Sequence, residues 1–157
     1  MTMPEASSLQ LVAFAVDSMR CAVSLASVER ALGMVAVSPL PGAPELLLGA
    51  INVHGRPMAV VDLRRRLRLA ARDYDVHSHL LIVSTARRRL AIATDEVLGP
   101  VQIDSGAVAL PQAVLPGHGP LSGVAALPQG LLFIYDLEAF LTPQEERLVD
   151  DALEARC

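Results

Sequence analysis

Two stretches of this chain repeat one another. GAINVHGRPMAVVDLRRRL, beginning at Gly49, aligns with GVAALPQGLLFIYDLEAFL, beginning at Gly123, and in each copy the glycine precedes an Asp-Leu pair by 13 residues (Asp62-Leu63 and Asp136-Leu137). Each copy reads as a strand, a tight turn, a second strand and then Asp-Leu-x-x-x-Leu. A repeat spaced about 70 residues apart is too long for a solenoid unit. It fits two similar small barrels packed together, each closing its own sheet. SVERALG, ending at Gly33, and TDEVLG, ending at Gly99, form a weaker echo of the same kind. The polar stretch 68–79, with Arg72, Asp73 and Asp75, is the expected boundary between the barrels.

The rest of the chain agrees with an all-β reading, because short apolar runs alternate with turn residues. Strands are expected at Leu9–Val16, Arg20–Leu25, Met34–Val37, Ala50–Val53, Met58–Val61, Leu80–Ser84, Leu90–Ala93, Val101–Ile103, Leu121–Leu127 and Leu131–Tyr135. Val28, Ala31 and Leu32 have i, i+3, i+4 spacing and predict a short helix ending at Gly33. Residues 1–8 read as a frayed tail, not a leader, and Pro111–Pro120 as a loop. Thr142-Pro143-Gln144-Glu145 carries an N-cap Thr, a Pro at the first helical position and a Glu at the third. A C-terminal helix over 143–157 should therefore pack on the barrels through Leu148, Val149 and Leu153.

Composition narrows the function. Hydrophobic residues make up 52% of the chain but aromatics only 3%, so the core must be aliphatic and interdigitated. A net charge of −4 argues against a nucleic-acid binder. No apolar run approaches the roughly 20 residues needed to span a bilayer. Cys21 and Cys157 lie in no metal or redox spacing and read as reduced thiols of a cytoplasmic protein. His77-Ser78-His79, with Asp73 and Asp75, is the most metal-like cluster, but no ligand-spaced partner set accompanies it. There is no G-x-S-x-G elbow, no phosphate-binding glycine loop and no H-E-x-x-H, so neither an enzyme nor a cofactor is expected. Asp62 and Asp136 read as caps of the short helices that follow them. The runs Arg64-Arg65-Arg66 and Arg87-Arg88-Arg89 read as solvated faces, either of which could meet an acidic partner. In His54-Gly55-Arg56, Gly55 suits a positive-φ turn, which would project His54 and Arg56 from the sheet.

Gly49-Ala50-Ile51-Asn52-Val53-His54-Gly55, followed by Pro57-Met58-Ala59-Val60-Val61-Asp62-Leu63, resembles the G-x-x-N-L-R-G-x-x-x-P-V-x-D-L signature of the CheW-like domain family. Cys21–Leu25, Val28, Pro39-x-Pro41, Thr94–Leu98 and Leu132–Glu138 match in order and spacing, so the resemblance runs from Leu9 to about Leu148. It implies two packed five-stranded SH3-like barrels spanning residues 9–142. It also implies a non-enzymatic adaptor that grips the regulatory domain of a CheA-type histidine kinase and the cytoplasmic tip of a chemoreceptor, recruited to membrane-associated receptor arrays without entering the bilayer. The receptor groove would be lined by Val28, Arg30, Val35, Ile51, Val53, His54 and Arg56. The sequence does not locate the kinase-binding residues. Two positions depart from the pattern: His54 replaces the signature Arg, and Arg30 stands where an acid often follows, with the acid shifted to Glu29. A small-ligand-binding or metal-binding barrel outside chemotaxis is the competing reading. It would need an enclosed polar-lined pocket or zinc at His77 and His79.

Overall fold

In the computed structural model, residues 8–67, 69–70, 73–109 and 121–154 are described. They form eleven strands and two α-helices. The strands are β1 (Ser8–Val16), β2 (Met19–Ser24), β3 (Val28–Gly33), β4 (Leu47–Val53), β5 (Arg56–Asp62), β6 (His79–Ser84), β7 (Arg89–Thr94), β8 (Glu96–Asp104), β9 (Val108–Ala109), β10 (Leu121–Leu127) and β11 (Gly130–Tyr135). The helices are α1 (Leu63–Arg66) and α2 (Pro143–Glu154). Ser8, expected in the tail, opens β1, and the Pro111–Pro120 segment lies outside the described residues.

The strands make two sheets, ordered β8-β1-β2-β11-β10-β9 and β3-β6-β7-β5-β4. These orders are the same pattern written twice. Each contains one parallel pair, β11 with β2 and β5 with β7, and in each the repeated hairpin supplies two adjacent strands, β10–β11 or β4–β5. The sixth strand, β9, has its counterpart in the bridge between Ser38 and Ala50 beside β4. The architecture is therefore the all-β double barrel that the repeat implies.

The division between barrels falls elsewhere than expected. Residues 68–79 separate β5 from β7, yet these two strands pair in the same sheet. One barrel is the continuous segment from β3 to β7, while the other is assembled from both sides of it, β1–β2 and β8–β11. The repeat unit spans only two of each barrel's strands, so it could not show where the remaining strands went.

The expected helix at Val28, Ala31 and Leu32 is strand β3, preceded by a single 3-10 turn at Leu25–Ser27. A bulge explains the misleading spacing: Val28 pairs with Val83 and Arg30 with Ile82, leaving Glu29 without a place in the ladder. Val28 consequently packs against one core and Leu32 against another, on opposite faces, whereas a helix would place both on one side. The equivalent strand β8 carries the same irregularity at Leu98, between the Phe14–Val97 and Ala13–Gly99 pairs. The weak echo thus joins the right strands in a shifted register. The Met34–Val37 run forms no strand; it crosses to the Ser38 bridge, where Ser38 and Ala50 exchange backbone hydrogen bonds of 2.9 and 2.8 Å.

Alternation along the strands divides the apolar residues among three cores. In β1, Leu11 and Ala13 fill the interior of their own barrel, while Val12, Phe14 and Val16 point into a core shared by both sheets. Across that shared core stand Val61, Leu81, Val83 and Ile92, with Tyr135 and Phe140 in edge-to-face contact. Ile51, Met58, Val60, Leu80 and Ile82 fill the second barrel. Cys21 is fully buried in the shared core, and burial pushes its thiol up to about 12, so it acts as a small apolar residue.

Helix α2 begins with the expected capping box: the Glu145 N–H donates to Thr142 Oγ1 (3.1 Å) and the Thr142 N–H to Glu145 Oε1 (2.8 Å). Val149 and Ala152 enter the shared core, while Leu148, expected on that face, is exposed. Thr142→Ala is expected to destabilise the protein by about 1 kcal/mol, read as a lower urea midpoint at constant m-value; an unchanged midpoint would mean that packing alone holds α2.

Candidate interaction surface

The arginines sort this molecule into its internal joints and its free surface. Asp62 caps α1 by accepting the Arg64 N–H at 3.1 Å, as Asp136 caps the next short helix through the Glu138 N–H at 3.0 Å. The cap aims Arg64 into the junction between barrels. Its guanidinium, 1% exposed, meets Asp17 at 2.5 Å and Asp95 at 2.6 Å and lies over the Tyr74 ring. Burial disfavours its charge, but the hydrogen bonds to Asp95 and Asp17 outweigh burial and raise its pKa above the ordinary arginine value. Asp95 also accepts the N–H of Asp17 at 2.6 Å, and Tyr74 donates to Asp62 at 2.8 Å. Burial, then that Asp62 contact, raises the Tyr74 pKa.

Five of the six arginines in the two runs, expected as solvated faces, hold ion pairs, while Arg87 is exposed. Arg65 reaches Asp62 and the Glu45 carbonyl, and Arg66 meets Glu145 of α2 at 2.5 Å. Arg88 holds Glu146 at 2.7 Å and Asp150 at 2.5 Å, pinning α2 to the β6–β7 turn. Arg89 grips Glu29 through two hydrogen bonds of 2.7 and 2.8 Å, and these, with the Ser84 hydroxyl, lower the Glu29 pKa.

A reciprocal clasp emerges from the equivalence of the barrels. Arg64, two residues past one capping Asp, crosses to Asp17 in the β1–β2 turn of the other barrel. Glu138, two residues past the second capping Asp, crosses back to accept the Ala86 N–H (3.0 and 3.1 Å) in the β6–β7 turn. The two contacts occupy equivalent places with opposite charge.

The residues expected to line a groove are only partly brought together. His54 and Gly55 both have positive φ, 53° and 83°, which makes the two-residue β4–β5 loop a type I′ turn, and Asn52 Oδ1 accepts the Gly55 N–H at 2.8 Å. His54 and Arg56 are exposed at this tip, as Gly55 suggested. The positive φ at His54 was legible only from the two-residue loop length. Val53 is half-buried and Val35 is exposed. Ile51, 4% exposed, belongs to the barrel interior and presents no contact face. Val28 and Arg30 lie on β3, at the opposite end of the sheet order from β4.

Val53 and Arg56 do share a groove of about 210 Å³ with Pro57, Met58, Arg88, Arg89 and Leu153, a residue set that sequence reasoning missed. A second cleft, of about 340 Å³, runs beside β4 between Ala36, Ser38 and Asn52.

The metal-like cluster is a turn. Asp75 Oδ1 accepts the His77 N–H at 2.8 Å, and the Ser78 hydroxyl accepts the Asp75 N–H at 3.0 Å. Among the described residues no three His, Cys, Asp or Glu side chains converge to hold a metal, and no helix is long and apolar enough to cross a membrane.

Two interlocked β-barrels thus meet at buried ion pairs, with half-buried Val53 beside exposed Arg56 at a hairpin tip. Residues 10–145 match the profile described as the CheW-like domain, and the chain belongs to that family. A probable chemotaxis protein CheW from Rhizobium etli is 24% identical over 147 residues, covering 87% of this chain and 89% of that protein. The chemotaxis protein CheW of Klebsiella aerogenes is 22% identical over 148 residues, covering 93% and 89%. Among solved structures, the scaffolding protein TtCheW from Thermoanaerobacter tengcongensis superposes with a TM-score of 0.79 at 21% identity, over 88% of this chain and 96% of that one.

Proposed function

We propose that this protein is a chemosensory adaptor that joins the cytoplasmic tip of a chemoreceptor to the regulatory domain of a CheA-type histidine kinase. The observation that carries this reading is the family match over residues 10–145, across both barrels and not one motif. The role needs no catalysis: it needs a rigid body with two separated contact surfaces. The clasp at Arg64 and Glu138 supplies rigidity between the barrels. Val35, Val53, His54 and Arg56 supply an accessible receptor face, and Val28 and Arg30 on β3 would contribute from the other end of the sheet order. Ile51 is left out, because it is committed to the interior. Such an adaptor works at receptor arrays through its partners, without inserting into the membrane.

Co-purification with the kinase regulatory domain, strengthened by a receptor-tip fragment, is the expected result. Val53→Glu and Arg56→Glu should each weaken receptor-tip affinity about tenfold, roughly the 1.4 kcal/mol of one lost charge-assisted or apolar contact, with no change in melting temperature. Unchanged affinity in both variants would remove this face from the receptor contact.

A further inference from the structure

We propose that the groove between the β4–β5 hairpin, the β6–β7 turn and the end of α2 docks a short acidic segment of a partner protein, which inserts one aliphatic side chain and sets a carboxylate against Arg56. The proposal rests on the reading above in using Val53 and Arg56 as contacts, and deepens it by making α2 part of the binding surface.

Size and chemistry argue for this occupant. The groove, at about 210 Å³, takes one large aliphatic side chain, and its apolar lining is Val53, Pro57, Met58 and Leu153. Methionine adapts to differently shaped anchors. Three arginines line it. Arg88 is neutralised by Glu146 and Asp150, and Arg89 by Glu29. Arg56 is exposed and makes no ion pair with any described residue. An apolar slot beside one uncommitted guanidinium favours an anchor with an adjacent carboxylate over a basic one. The pinned arginines have a second effect. By holding α2 against the β6–β7 turn, Arg88 keeps Leu153 in place as one wall before any partner arrives, so less ordering entropy opposes binding.

The test is an NMR titration of the full chain with acetyl-Gly-Glu-Leu-Leu-Glu-Gly-amide and its twin in which both Glu are Lys. Saturable amide shifts at Val53, Met58, Arg89 and Leu153 with the acidic peptide, and about tenfold weaker binding of the Lys twin, are expected. Arg56→Glu, a surface change that leaves the core intact, should reverse that preference, and Leu153→Asp should weaken both peptides. Shifts elsewhere, equal response to the twins, no response at millimolar peptide, or shifts that instead follow protein concentration as a second copy occupies the groove would each overturn the proposal. The receptor-tip fragment separates the two readings. If Val53→Glu weakens it but Leu153→Asp does not, the receptor face stands and the groove falls. If the peptide binds as described and the fragment does not, the groove stands and the receptor reading falls.

Discussion

Gly49→Ala is expected to cost more than about 3 kcal/mol, whereas Gly123→Ala, at the matching place in the other barrel, should cost about 1–2 kcal/mol. Both glycines flank the bulge inside the repeated hairpin, between Leu47 and Gly49 in one copy and between Leu121 and Gly123 in the other. A Cβ at Gly49 would lie 2.1 Å from the Ser38 carbonyl oxygen and 2.8 Å from its carbon, on backbone fixed by the Ser38–Ala50 bridge, and the residue has φ +152°. Neither neighbour can turn away. A Cβ at Gly123 would lie 2.3 Å from Val108 Cγ1, while the backbone oxygen of Ala109 is 3.4 Å away. There the obstacle is mainly a side chain, which can change rotamer. Urea midpoints measure the difference, and Val108→Ala should restore most of what Gly123→Ala loses. Equal losses at the two glycines, or no rescue by Val108→Ala, would contradict this account.

Arg64→Met should destabilise the protein by about 3 kcal/mol, near the lower end of the range for breaking a buried ion pair from one side. The loss follows from what is removed: a buried guanidinium that holds Asp17 and Asp95 at the barrel junction through two short ion pairs. The two carboxylates are 31% and 18% exposed, so water relieves part of the cost. Arg64→Lys should recover little, because one ammonium cannot present the planar fork that meets two carboxylates. Glu138→Gln, at the other half of the clasp, should cost under about 0.5 kcal/mol, since its contact is exposed. The check is chemical denaturation of all three variants. A loss at Arg64→Met no larger than at Glu138→Gln would show that the buried charge does not hold the junction.

Those two predictions rest on features the sequence discloses unequally. Gly49 and Gly123 stand out at once, because the repeat aligns them, and the Asp caps and Thr142 box follow from short-range chemistry that spacing reveals. The arginine clusters are different. Arg64 finds Asp95 31 residues away, Arg66 finds Glu145 79 away, and Arg88 finds Asp150 62 away. Nothing local distinguishes such residues from a solvated run. Of the residues proposed for receptor contact, the exposure of His54 and Arg56 was legible at the Gly55 turn, and the burial of Ile51 was not. Strand periodicity puts Ile51 and Val53 on one face, but only the position of Val53 at the strand end leaves it half-open. The groove wall at Leu153 required knowing where α2 lands, which Arg88 and Arg66 decide.

The interleaved order of the strands bears on how the chain is made. On the ribosome β1 and β2 emerge first, yet their neighbours β8 and β11 come only after the whole continuous barrel has been synthesised. That middle barrel has all five of its strands between Val28 and Thr94 and can close while translation continues, since domains fold as units during synthesis. The leading hairpin must wait with Phe14 and Cys21 unburied, and the shared core is sealed last, when β11 slides in parallel to β2 and α2 covers it. The strand order thus predicts a co-translational stage with one finished barrel and one exposed apolar hairpin, which a chaperone would be expected to recognise.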